Sequence, residues 1–141
     1  MSAQEVTLYM GQGKKAFYKP PPGFQKGRDD NGEYSFSTPD ANFYISINTK
    51  WIDGRTPEKI LEQSLTGIRA EACEDKNHKT AVSQAVWKIC RVDVGGRKEG
   101  RLWMVIVVNG MQDAIEIGVH FREMNESRMQ SIQKSIDEIR W

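Results

Sequence analysis

The sequence predicts an α+β fold: a twisted antiparallel β-sheet with two main helices packed on it, in the order ββββ-α-βββ-α. Three observations carry this expectation. Residues 85–121 alternate apolar and polar side chains in three runs separated by turn residues, as antiparallel strands do. Residues 125–140 then space their apolar side chains as one face of a helix. Upstream, Thr56-Pro57-Glu58 combines a hydroxyl N-cap, a proline at the first helical position and an acid in the first turn.

The elements follow in order. Val6, Leu8 and Met10 alternate with Glu5, Thr7 and Tyr9, which predicts a short first strand broken by Gly11 and Gly13. Ala16 to Tyr18 is a second short strand. Pro20-Pro21-Pro22-Gly23 ends it, because proline lacks an N–H donor and fixes φ. Residues 25–32 read as an exposed loop. Tyr34 and Phe36, then Phe43, Ile45 and Ile47, alternate with polar residues around Pro39-Asp40, a hairpin from about 33 to 49. Leu61, Leu65, Ile68 and Ala72 share one face of a helix expected from 57 to about 73, with Gly67 as its weak point. Glu74 to Lys79 reads as a charged loop.

Val86, Cys90, Val92 and Val94 alternate with Trp87, Ile89, Arg91 and Asp93 in the first strand of the meander. A loop is expected from Gly95-Gly96 to Gly100. Leu102 to Val108 is apolar on both faces, the pattern of a strand covered on both sides. Asn109-Gly110 is a strong hairpin signal, since a type I′ turn needs positive φ at both central positions. Ile115, Ile117, Val119 and Phe121 form a third, half-exposed strand. The last helix starts near Asn125 and aligns Met129, Ile132, Ile136 and Ile139.

A chain of 141 residues is most simply one domain, 1–141, with N-terminal strands and a basic Pro/Gly-rich loop over 1–32 and a sheet-and-helix core over 33–141. Its net charge of +1 argues against a dedicated nucleic-acid-binding domain, where a strongly basic face supplies most of the affinity. No stretch reaches the roughly 20 apolar residues that span a bilayer, so no membrane insertion is expected. Residues 1–10 lack the basic and apolar regions of a secretory signal, and cytoplasmic residence follows if the chain is complete. Cys73 and Cys90 have neither zinc spacing nor the density of a disulfide scaffold. They are expected to be reduced, mostly buried thiols, although sequence does not give the distance that would decide a bond.

Catalytic signatures are missing. Gly11-Gln12-Gly13-Lys14-Lys15 lacks phosphate-loop spacing, and no helix is expected after it, so it reads as a basic turn. The acid-free run of Lys14, Lys15, Lys19, Lys26 and Arg28 is most simply a solvated connecting segment, since Asp29 and Asp30 follow at once. Glu116 and His120 share a strand face but stand about 13 Å apart, too far to touch. His78 near Cys73 has nothing to orient it as a nucleophile pair. Two histidines without clustered ligands give no reason to expect a metal, and no cofactor is implied. Tryptophan and arginine are enriched at interface hot spots, so Trp51, Asp53 and Arg55 are the leading candidates for a partner contact, with Tyr44, Glu116 and His120 beside them. Trp87 and Trp103, on adjacent strands, are expected to pack on one face.

This order of elements is similar to that of the PsbP/DcrB-like α/β/α sandwich family over about residues 33–141. A hairpin leads into a helix, a three-stranded meander follows, and the last helix carries Met129-Gln130-Ser131-Ile132-Gln133-Lys134-Ser135-Ile136. Pro22-Gly23-Phe24 resembles the family's early proline-glycine-aromatic segment, without the tryptophan often found there. The resemblance implies a non-enzymatic cytoplasmic protein that binds another protein. Its expected role is a bacterial immunity protein neutralising a secreted toxin of a type VI or similar system, or an adaptor chaperone loading one. The alternative from another class is a small ligand-binding domain or enzyme using a cavity between sheet and helix, with Glu116 and His120 as the residues to test.

Overall fold

A computed structural model describes residues 5–27, 33–66 and 70–141, with the backbone alone for 70–72. The chain is an α+β fold: an antiparallel sheet with a helix on each face. Val6–Tyr9 (β1) and Lys15–Tyr18 (β2) form a separate hairpin. The main sheet contains Gln25–Lys26 (β3), Tyr34–Ser37 (β4), Phe43–Trp51 (β5), Ala70–Lys79 (β6), Ser83–Val94 (β7), Arg97–Val108 (β8) and Asp113–Phe121 (β9). Its seven strands run in the order β3-β4-β5-β9-β8-β7-β6. Pro57–Leu65 (α1) and Glu126–Asp137 (α2) cover the two faces.

The register decides which side chains share a face. Phe43, Ile45 and Ile47 lie opposite Phe121, Val119 and Ile117, which lie in turn opposite Gly100, Leu102 and Met104. This face is the main core. Met129, Ile132, Ile136 and Ile139 of the last helix pack on it, as their spacing predicts. The β1–β2 hairpin adds Val6, Leu8, Met10, Ala16 and Tyr18 to the same cluster, and Phe24 and Phe36 join it. Arg140 ties the hairpin to the end of α2 through paired backbone hydrogen bonds with Phe17 and an ion pair with Glu5 at 2.9 Å. Gly100 has no side chain because the Phe121 ring occupies that space: a Cβ would stand 2.1 Å from the ring. The opposite face carries a smaller core, Val86, Val105 and Ala114 beneath Ile60 and Leu61 of α1.

Both helix starts form as the sequence implies. Thr56 accepts a hydrogen bond from the Lys59 N–H at 3.2 Å with Pro57 at the first position, and Asn125 accepts from the Arg128 N–H at 3.0 Å. Other expectations are corrected. The first helix ends at Leu65 rather than near 73, because Thr66 turns extended and spends its N–H on Gln63. Gly67 and Ile68 lie outside the described residues. The expected charged loop 74–79 belongs to β6, and Arg97–Gly100 belongs to β8 rather than to a loop. The expected exposed segment 25–32 includes the two-residue strand β3. The third meander strand is not half exposed: β9 is the middle strand of seven, and Ala114 to Val119 are all buried. Trp87 pairs with Met104 and Trp103 with Lys88, which puts the two indoles on opposite faces of the sheet. Cys73 and Cys90 are joined by a disulfide across β6 and β7, which replaces the expected pair of free thiols.

Candidate protein-binding surface

The helix α2 packs on the main core face through Met129, Ile132 and Ile136. An open groove of about 630 Å³ lies between the C-terminal half of α2 and the outer strands. Its floor is apolar: Ala85, Trp87, Met104, Ile106 and Ile136. Lys76, Asn77 and His78 of β6 form one wall, and Gln133 and Asp137 of α2 form the other. Trp141, half exposed at the end of α2, stands at the mouth. The Trp87 indole N–H is buried without an acceptor among the described residues. The Trp103 indole N–H, on the opposite face of the sheet, is in the same condition.

The expected site residues do not converge on this groove. Trp51 ends β5 at 61% exposure, and Asp53 follows in a turn with positive φ. Arg55 is a brace. Its guanidinium donates to the carbonyls of Ile52 and Trp51 and to the Gln63 side chain, fastening this turn to α1. Tyr44 lies seven residues before Trp51 on the opposite face of β5, so the two do not form one patch.

Tyr44 and His120 do come together. Their rings are 5.6 Å apart, and Trp103 approaches His120 from the other side at 6.1 Å. Gly118 makes room for the Trp103 indole, since a Cβ there would meet it at 3.2 Å. Burial, aided by the nearby Arg101 cation and opposed by Glu99, lowers the His120 pKa to about 4. The ring is therefore neutral at pH 7 and half-buried rather than a surface cation. Glu116 is a helix-to-sheet strut, 7% exposed. Its carboxylate accepts from the Ser64 hydroxyl of α1, and Lys50 stands 3.9 Å away. The Asn48 amide, turned with its nitrogen toward this carboxylate, donates to it at 3.2 Å. Glu116 and His120 both face away from the groove, so no cavity joins them to it. No cluster of three or more potential metal ligands occurs among the described residues.

The sequence does not show the groove, because residues 74–79 read as a charged loop and 70–72 as helix, which leaves one wall unformed. The strand period does show that Ala85 and Trp87 share one face.

No protein-family model and no curated protein matches this sequence. Solved structures do match its fold. The Ran-binding protein Mog1p of Saccharomyces cerevisiae aligns with a TM-score of 0.61 at 12% identity, over 99% of this chain and 95% of that one. The cyanobacterial PsbP (CyanoP) of Synechocystis aligns at 0.59 and 13% identity, over 98% and 91%. A Bacteroides thetaiotaomicron protein aligns at 0.64 and 10% identity over 99% of this chain, which spans only 48% of that one. The class is thus an α/β/α sandwich, and the particular arrangement is the PsbP/Mog1-like fold. No helix among the described residues is long and apolar enough to cross a membrane.

Proposed function

We propose that this chain is a non-enzymatic protein-binding domain and that its groove takes a segment of the partner. The observation that carries this reading is the groove itself, with its apolar floor and polar rim. Interfaces combine an apolar centre with a polar rim in this way. The fold is compatible, since Mog1p shares it and is described as Ran-binding.

The finer reading is a cytoplasmic immunity protein for a secreted bacterial toxin, and it rests on the family resemblance of the sequence. The groove favours the neighbouring reading, an adaptor chaperone, because an apolar floor suits an apolar segment better than a folded, polar toxin surface. Trp51, Asp53 and Tyr44 are proposed as lesser contacts outside the groove, the first two at the end of β5 and the turn after it, the third near the start of β5.

The test is capture of the native partner by the tagged chain and by its Ala85→Phe variant, which fills the groove from its floor. Loss of capture by the variant with retained folding supports the groove. A captured toxin that loses its toxicity in the complex supports immunity, and one that keeps it supports the chaperone. Equal capture by both forms sinks the groove reading. A small molecule that stabilises the wild-type chain but not the variant would redirect the assignment to a ligand-binding domain.

A further inference from the structure

We propose that the Cys73–Cys90 disulfide is a redox latch on one wall of the groove. It fixes β6 when oxidised and frees it when a dithiol reduces it. The proposal rests on the groove reading for its functional meaning, but its structural content stands apart from any partner.

β6 is weakly held. It is an edge strand, and among the described residues it pairs only with β7. Every residue from Cys73 to Thr80 is exposed. The ladder is also broken at its start, where the register shifts between Glu71 and Glu74. Edge strands with few buried contacts open locally at low free-energy cost.

Two pins compensate. At the far end, the turn after β6 is closed by hydrogen bonds between Thr80 and Ser83, and Asn109 fastens it through Val82 and Ala81. At the near end the pin is the disulfide, placed where the ladder is irregular. Lys76, Asn77 and His78, the groove wall, lie between the two pins. Besides the disulfide, the ladder to β7 and the exposed Lys88–Asp75 ion pair at 3.1 Å hold that end. The bond does not join distant parts of the fold, since β6 and β7 are already neighbours. Its loss therefore acts on β6 and spares the core.

The bond is also reachable. Cys73 is exposed, whereas Cys90 is 3% exposed and faces the smaller core side of the sheet. A thiolate of an external dithiol attacks the Cys73 sulfur, the S–S bond breaks, and the electron pair leaves on Cys90, which takes a proton. The second thiol of the reductant then displaces Cys73 as its thiolate, which is also protonated. Two electrons pass to the protein, and the reductant becomes a disulfide.

Hydrogen exchange of the full chain, oxidised and after reduction by dithiothreitol, tests the latch. Amides of residues 73–79 are expected to exchange at least about tenfold faster after reduction, with those of β8 and β9 unchanged, as for a local opening. Reoxidation should restore the slow rates. Alkylation mass spectrometry across glutathione buffers should show the bond opening in the folded chain. Equal exchange in both forms, acceleration throughout the sheet, or a bond that opens only on unfolding would each overturn the proposal. No partner is present in these measurements, so a groove that binds nothing leaves their outcome untouched. That separate failure is read by Ala85→Phe.

Discussion

Tyr18 shows how one residue ties the hairpin to the main core. It is fully buried, and its hydroxyl lies 2.9 Å from the Ser135 hydroxyl, which itself donates to the Ile132 carbonyl at 2.6 Å. Burial raises the Tyr18 pKa to about 12, partly offset by the Ser135 hydrogen bond. The neutral phenol is favoured in the folded state, so its contribution is fully present below pH 10. It is lost as pH rises from 10 toward 12 and amounts to about 3 kcal/mol at two pKa units. Tyr18→Phe should cost about 1 kcal/mol at pH 7, and denaturant titrations should show this alkaline loss only in the wild type. His120 works in the opposite direction. Its folded pKa is depressed to about 4, mainly by burial, so its contribution is present above pH 6.5 and falls away as pH drops toward 4. Discounted for its partial exposure, the loss is on the order of 1 kcal/mol. His120→Gln should flatten that part of the acid profile in the same titration. Strand alternation does not show this, since it puts His120 on the polar face of a strand expected to be half exposed. Its burial comes from Tyr44 on one neighbouring strand and Trp103 on the other.

At the scale of elements, legibility followed periodicity. The hairpin β4–β5 and the apolar stripe of α2 are readable because each buries one face only, and the start of α1 because Thr56-Pro57-Glu58 is a capping signal. The far end of α1 was not. Leu61, Leu65, Ile68 and Ala72 fit helical spacing, yet Thr66 turns the chain, and Ala70 already belongs to an edge strand. That strand, Ala-Glu-Ala-Cys-Glu-Asp-Lys-Asn-His-Lys, has no apolar alternation because from Cys73 onward it is exposed on both faces. Such charge is a common guard against edge-to-edge pairing, and it erases the strand signal. The disulfide was illegible for the same reason, since only the pairing of β6 with β7 brings Cys73 to Cys90. Glu116 binds α1 to the sheet, which gives this scale its own expectation. Glu116→Ala leaves the Ser64 hydroxyl and the Asn48 amide without their acceptor and should cost about 2 kcal/mol. Glu116→Gln keeps an acceptor and should cost less. Thermal denaturation of the two variants would rank them, and equal losses would count against the strut.

At the scale of the molecule, the groove follows from a mismatch of widths. A seven-stranded sheet spans roughly 29 Å across its strands, while one helix covers a strip of about 10 Å. The β1–β2 hairpin and α2 together close the main core face, and the outer strands project past them with Trp87 half-buried and Ala85 beside it. A chain that needed only stability would fill this strip with a larger side chain or a longer helix. Ala85→Phe does so by substitution. It adds apolar contact over the groove floor without removing any core side chain, so the midpoint of thermal unfolding should stay within a few degrees of the wild type. If a partner segment seats in the groove, the same change should weaken its binding by about 100-fold, the scale on which loss of a central anchor is felt. Tyr44→Ala, on the opposite face, should weaken binding by less than about fivefold, as rim residues do. Titration calorimetry with the captured partner measures all three proteins. A stable Ala85→Phe chain with unchanged affinity would move the binding surface to the Tyr44–His120 face, where the Tyr44 variant would then show the larger loss.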